Sequence, residues 1–219
     1  VGALPQPGGL VKLSLDHIVV AAHSLEQGCD YVERALGVRP VPGGRHLKMG
    51  THNSLLNLGE GVYLEVIAID PEGTDPGRPR WFGLDNPRLQ AELKRSPRLL
   101  HWVVRTDDIR AVVAALPELG KVHRMGRGDL EWDIAIPDDG QLLEHGLIPT
   151  VISWGDAPHP TTRLPESACR LMGLRGLHPH PERVEARLKA LGLELGLEAS
   201  PAPGLLAQVQ TPAGLRLLR

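Results

Sequence analysis

The sequence is short of aromatic residues, nearly devoid of cysteine and has no excess of either charge. Trp, Tyr and Phe make up 3% of the chain, with a single Phe, so platforms on which nucleic-acid bases could stack are scarce. The 24 Lys and Arg against 26 Asp and Glu leave a formal charge of −2, which provides no basic field for nucleic acid or a membrane surface; neither is expected as a partner. Two cysteines, Cys29 and Cys169, cannot build a disulfide framework and stand in no CxxC or Cys/His zinc spacing, so a reducing, cytoplasmic setting is expected. No run of 18 apolar residues occurs, and the opening VGALPQPGGL has neither the charged nor the apolar region of a secretory leader. A soluble protein that is not exported is the expectation.

What the 219 residues do contain is an aliphatic core-forming fraction and a repeat. LDHIVVAA at 15–22 reads as a strand buried on both faces. SLEQGCDYVERAL at 24–36 reads as a helix, with Ser24 and Gln27 at capping-box spacing, Leu25, Cys29, Val32 and Leu36 on one stripe, and Gly37 as the stop. Strands are expected around Val38–Val41, at 53–58 and at 62–69. The same order returns with a strand at 99–105, a helix from about Asp107 to Pro117, and strands near 121–125, 130–136 and 147–154. A third, fainter copy has an apolar stretch at 170–177, a helix opened by Pro181, and strands near 193–198, 205–210 and 215–218.

The expected fold class is therefore α+β: paired βαβββ modules forming a curved, mixed or mostly antiparallel sheet around a cavity, with a third βαβββ-like copy at the C-terminus. The boundaries are 14–70 for the first module, 71–98 for a Pro-, Gly- and Arg-rich connection with a short helix around 87–94, 99–154 for the second module and 168–219 for the third.

Ionisable residues fall in matching slots of this repeat. His17 and His101 each sit mid-strand, a similar distance before their helices. A lone His in an apolar strand is ordinarily a hydrogen-bonded core residue, but two in equivalent slots suggest a shared task. Glu65 lies in VYLEVIAI, whose opposite face is wholly apolar, so its carboxylate must meet a cation, a metal or several donors, or take up a proton. A curled sheet would bring His17, Glu65 and His101 together, and two imidazoles with one carboxylate suit a divalent metal acting as Lewis acid or oxygen-activating centre. In RHLKMGTHN, the residues Arg45, His46, Thr51, His52 and Asn53 offer donors and an acid–base group at the cavity edge; the competing reading is a self-bonded polar turn. Glu131 and Asp133 read as a solvated strand face, HPHP at 178–181 as a helix start, and Cys29 as inert packing.

LDHIVV, YLEVIAI and LLHWVV in paired modules resemble the vicinal oxygen chelate superfamily, which includes glyoxalase I, extradiol dioxygenases, methylmalonyl-CoA epimerase and bleomycin-binding proteins. GGRHLKMGTHNSLLNLG at 43–59, with YLEVIAID and ISWGDAPHP, looks more narrowly like its glyoxalase-like domain family, over roughly 14–160. The resemblance implies metal ligands from the first and last strand of each module, which selects His17, Glu65 and His101. The fourth slot falls on Thr150, or on Pro149 with one residue of slip, which departs from a four-ligand pattern; Glu144 or His145 could substitute, or the metal could be lost.

The expected function is a metal-dependent enzyme of lyase, isomerase or dioxygenase type acting on a small oxygenated metabolite. Glu65 or His52 would move a proton, Arg45, His46, Thr51 and Asn53 would hold substrate, and the divalent ion would be Zn, Mn, Fe or Ni. The alternative is a metal-free protein that sequesters a small molecule in the same cavity. A homodimer is compatible with either.

Overall fold

A computed structural model describes residues 11–219; the ten preceding residues, on which the reading of no export leader rests, lie outside them. The first module runs β1 (Ser14–Ala21), α1 (Leu25–Leu36), β2 (Val41–His46), β3 (Thr51–Asn57) and β4 (Tyr63–Ile69). After α2 (Pro87–Arg95), the second runs β5 (Arg98–Arg105), α3 (Ile109–Ala115), β6 (Lys121–Arg127), β7 (Leu130–Ile136) and β8 (Thr150–Ser153). The C-terminal unit holds β9 (Arg170–His178), α4 (Pro181–Ala190), β10 (Gly196–Ala199), β11 (Gly204–Thr211) and β12 (Gly214–Leu218).

The caps explain where the helices begin and end. Ser24 Oγ accepts from the Gln27 backbone N–H, Gln27 Oε1 accepts from the His23 N–H, and Gly37 ends α1 in the left-handed region at φ 77°. Asn86 and Asp108 cap α2 and α3 in the same way.

The first two modules form one eight-stranded curled sheet in the order β2-β3-β4-β1-β5-β8-β7-β6. Within each module the first and fourth strands are parallel, and β1 and β5 join the modules antiparallel at the centre. Strand alternation sorts the side chains into two cores. Ile18, Val20, Leu64 and Val66 face α1 and the C-terminal unit, whereas Val19, Ala21, Ile67 and Val103 face the concave side. The C-terminal unit packs Val184, Leu188, Leu205, Ala207 and Val209 into the first of these cores. It repeats the element order but not the pairing. Its sheet runs β10-β9-β11-β12, so β9 lies between β10 and β11 instead of beside the fourth strand.

Three strands begin later than the sequence suggests. The chain needs Val38–Pro40 to leave α1, so β2 starts at Val41. Leu143–Gly146 forms a short turn with Glu144 and His145 in the left-handed region, which delays β8 to Thr150. The strand expected at 193–198 starts at Gly196.

The 71–98 connection folds back over the concave face and inserts Trp81 and Phe82 there, with Leu84, Leu89 and Leu93 behind them. Phe82 adopts φ 59°, and the turn is pinned by a Gly83 N–H to Gly140 carbonyl bond of 2.7 Å. Gly140 permits that approach, since a Cβ there would stand 2.2 Å from the Arg80 carbonyl oxygen. No helix among the described residues is long and apolar enough to cross a membrane.

Candidate active site

The site begins with an irregularity in β1. Leu15 pairs with Val104 and His17 with Val103, so Asp16 is an extra, bulged residue that opposes nothing on β5. The bulge frees Asp16 from strict alternation. Its buried carboxylate meets His17 Nδ1 at 2.6 Å through Oδ1, and Trp154 Nε1 at 2.9 Å and His159 Nε2 at 3.0 Å through Oδ2. Burial alone would raise the Asp16 carboxyl, but the bonds from His159 and His17 outweigh it and hold the group well below the usual carboxylate range. Asp16 is thus an anion that accepts the Nδ1 proton of His17, which leaves the His17 Nε2 lone pair for other work.

That lone pair faces Glu65 Oε2 at 3.7 Å, a separation too long for a hydrogen bond and short enough for both to reach one ligand. Glu65 is aimed from the other side. Its Oε1 accepts from Asn53 Nδ2 at 2.6 Å, while Asn53 Oδ1 accepts from Arg127 Nη1 at 2.8 Å and the Gly44 N–H at 3.0 Å. The second Asn53 amide hydrogen lies toward His46 Nε2 at 3.4 Å, so the amide is used on both ends and its orientation is fixed. Burial, with the Arg127 charge nearby, pushes the His46 imidazole down to about 3; it is a neutral acceptor here, its Nδ1 bonded to Thr51 Oγ1 at 3.0 Å.

The walls are aromatic. Five of the chain's seven Trp, Tyr and Phe residues line this one cavity: Tyr63, Trp81, Phe82, Trp132 and Trp154. Tyr63 stacks on His17 at 4.5 Å between ring centroids, and Trp81 meets His46 edge-on at 5.1 Å. The space left among them is about 30 Å³, room for the reacting end of a small molecule.

The sequence-selected residues divide sharply. His17, Glu65, His46 and Asn53 line the cavity, and Thr51 supports His46 from behind. His52 and Arg45 do not join them. They pair with each other across the β2–β3 hairpin, and alternation turns both to the face opposite Asn53, where Arg45 bonds Asp70 at 2.5 Å. Burial lowers the His52 imidazole there, but it has no part in the cavity. Sequence reasoning missed Asp16, Arg127, Trp154 and His159. A charged residue inside an apolar strand was the available signal for Asp16; the alternation rule hid it because a bulge is invisible in one sequence.

His101 is also set apart. Its Nδ1 donates to the Gly146 carbonyl at 2.9 Å, and its Nε2 accepts from the Thr150 N–H at 3.1 Å, with Thr150 Oγ1 at 2.9 Å. Both nitrogens are spent, and burial pushes the imidazole down to about 3 even though the Gly146 bond acts the other way. The expected metal set of His17, Glu65 and His101 therefore does not fit a metal ion: one of its three members has no lone pair to give. Among the described residues, no group of three His, Cys, Asp or Glu side chains is arranged to hold one. Glu144 and His145 do not substitute, since Glu144 bonds Arg183 and Arg187 of the C-terminal unit and the His145 ring lies at a tilt against His178.

Comparison with known proteins gives a fold and a family. No curated protein matches the chain. A hypothetical protein from Staphylococcus aureus is similar over 95% of this chain and 99% of its own, at 14% identity and a TM-score of 0.63. Methylmalonyl-CoA epimerase from Mycobacterium tuberculosis is similar over 70% of this chain and 94% of its own, at 19% identity and a TM-score of 0.42. A Streptomyces coelicolor epimerase in complex with 2-nitronate-propionyl-CoA covers 69% of this chain and 100% of its own, at 16% identity and 0.41. The likeness to the Staphylococcus aureus protein shows the fold and says nothing of activity. The family model for the glyoxalase-like domain matches residues 15–192, most of the chain, and the chain accordingly belongs to the glyoxalase-like domain family.

Proposed function

We propose that this glyoxalase-like protein is an acid–base enzyme of isomerase or lyase type, moving a proton next to a carbonyl or carboxyl group of a small oxygenated metabolite. One observation carries the reading: His17 Nε2 and Glu65 Oε2 stand 3.7 Å apart in a buried, aromatic-walled cavity, each held from behind by a different partner. His17 is fixed by an anionic Asp16 and Glu65 by Asn53, so both groups meet a ligand preorganised.

The short separation favours one kind of proton transfer. Two bases working on opposite faces of a carbon would flank it, whereas these two can touch neighbouring atoms of one substrate face. The pair enters the step carrying one proton between its two facing atoms: the group without it takes the proton from carbon, the C–H electron pair moves into a C=C bond, and the group holding it gives it to the carbonyl oxygen. Collapse in the reverse sense returns a proton to the adjacent carbon, and both side chains regain their starting states. Dioxygenase chemistry in the vicinal oxygen chelate superfamily draws on a metal, and the donor set here does not supply one.

The aromatic walls favour a second reading, a binding protein for a small apolar-bodied ligand in the same cavity. Proton exchange decides between them. Glycolaldehyde, hydroxyacetone, pyruvate and lactate are incubated with the protein in D₂O and the C–H signals followed by NMR. Exchange above the buffer rate, reduced about a hundredfold in His17→Gln and Glu65→Gln, is the expected result. Saturable binding of these compounds with no exchange in any of them would leave the binding protein.

A further inference from the structure

The acid–base pair leaves two donors of the same cavity without a task. Arg127, from β6 of the second module, reaches across the seam of the curled sheet to Asn53 of the first. Its single bond to Asn53 uses one of five N–H groups, and among the described residues its guanidinium is paired with no carboxylate. The indole N–H of Trp81, also on the cavity wall, is buried and has no acceptor at all. The orphaned buried donor is a costly feature in a folded chain, the half-buried guanidinium beside the same cavity has N–H groups to spare, and the oxygens of one ligand would serve both. The place is built for the guanidinium: Gly44 lies against its stem, where a Cβ would stand 2.5 Å from Arg127 Cδ.

The protein's own carboxylates do not fill this role. Both Asp16 oxygens are already bonded, and Glu65 reaches Arg127 only through the Asn53 amide. We infer that Arg127 and Trp81 form the anion-binding end of the cavity and that the substrate is a small carboxylic acid whose carboxylate adjoins the carbon that His17 and Glu65 act on. This deepens the acid–base reading and rests on it. The guanidinium fork suits a planar carboxylate, and its charge lies where negative charge grows as the carbon loses its proton.

The test compares pyruvate, lactate and glycolate with their neutral amides, which match them in shape. Binding is read from tryptophan fluorescence, since Trp81, Trp132 and Trp154 all line the cavity. The wild-type protein should bind the carboxylates about ten- to a hundredfold more tightly than the amides, and Arg127→Gln should remove that preference. Arg127→Lys, which keeps the charge and loses the fork, should fall between, and Trp81→Phe should weaken carboxylates by a few fold. If Arg127→Gln does not fold, the wild-type comparison and the lysine variant still decide. Equal affinity for acid and amide, an unchanged carboxylate Kd in folded Arg127→Gln, or failure of all three acids to bind saturably would each overturn the inference. Arg127-dependent binding with no deuterium exchange would instead overturn the acid–base reading and leave the anion site standing.

Discussion

Thr150 occupies in the second module the position that Glu65 occupies in the first. Val19 pairs with Glu65 and Val103 with Thr150, each two residues beyond its histidine, so the register superimposes His17 with Glu65 on His101 with Thr150. The two pairs have opposite chemical characters. Glu65 stands 3.7 Å from His17 and leaves it open to a ligand, whereas the Thr150 hydroxyl and N–H close on His101 at 2.9 and 3.1 Å. In one half of the repeated scaffold the pair stays open toward the cavity, and in the other the same slots close into a buried clasp.

The clasp predicts a loss of stability and not of an ion. Replacing His101 with Ala removes both ring bonds, strands the Gly146 carbonyl and the Thr150 N–H, and leaves a hole against Phe82. A cost of about 2–4 kcal/mol in urea unfolding is expected, with unchanged metal content by elemental analysis. Loss of a stoichiometric ion in the variant would reverse the assignment.

Two buried neutral histidines predict an acid-sensitive fold. His46 and His101 are both pushed from an ordinary 6.5 down to about 3, so between those limits the unfolded chain binds protons that the native chain does not. Stability is then full above pH 6.5 and falls as the pH drops toward 3. Each histidine should remove about 2 kcal/mol between pH 7 and pH 5, measurable by urea titration at the two values. His46→Gln should flatten the dependence by about half; a wild-type stability that is level across this range would contradict the buried neutral state.

Much of this was legible in the sequence, for a physical reason. Hydrophobic period and cap residues are local, so Ser24, Gly37 and Pro181 mark their helices and the βαβββ order can be read along the chain. The slots of His17 and Glu65 follow from that order. What could not be read was non-local or irregular. A single bulge turns Asp16 toward the site, the β2–β3 register turns His52 away from it, and Arg127 arrives from a strand 74 residues beyond its partner Asn53. The aromatic shortage held a clue as well, since scarce residues gathered in one place are informative only once the fold gathers them.

Asp16 should matter more to rate than its distance from a substrate implies. It is a positioning residue: it holds His17 in the tautomer that exposes Nε2, and it does so as an anion fed by two further donors, Trp154 and His159, with the Arg105 guanidinium 3.7 Å away. Asp16→Asn can present an amide hydrogen to Nδ1 and favour the wrong tautomer. Deuterium exchange should fall about a hundredfold or more, while carboxylate binding through Arg127 changes little. Breaking a buried charged network also costs about 3 kcal/mol or more of stability, so exchange must be measured well below the variant's unfolding transition. An unaltered exchange rate in a folded Asp16→Asn protein would show that the bond to His17 is structural only.

Gly44→Ala separates the guanidinium from the rest of the site without touching a charge. Gly44 has an ordinary backbone conformation, so alanine is not strained there; the cost is steric, because the new Cβ would lie 2.5 Å from Arg127 Cδ and 3.1 Å from Cγ. The Arg127 side chain can swing away along the open seam, so the stability change should stay within about 1 kcal/mol. Swinging away takes Nη1 off Asn53 Oδ1 and the positive charge off the cavity wall, and Glu65 keeps only the amide that the charge had polarised. Carboxylate binding should weaken toward the level of Arg127→Gln, with amide binding unaffected, as read by the same fluorescence titration. A variant that loses affinity for acids and amides alike would mean that the cavity itself had collapsed. One that binds acids as tightly as the wild type would mean that Arg127 need not lie against Gly44 to do its work.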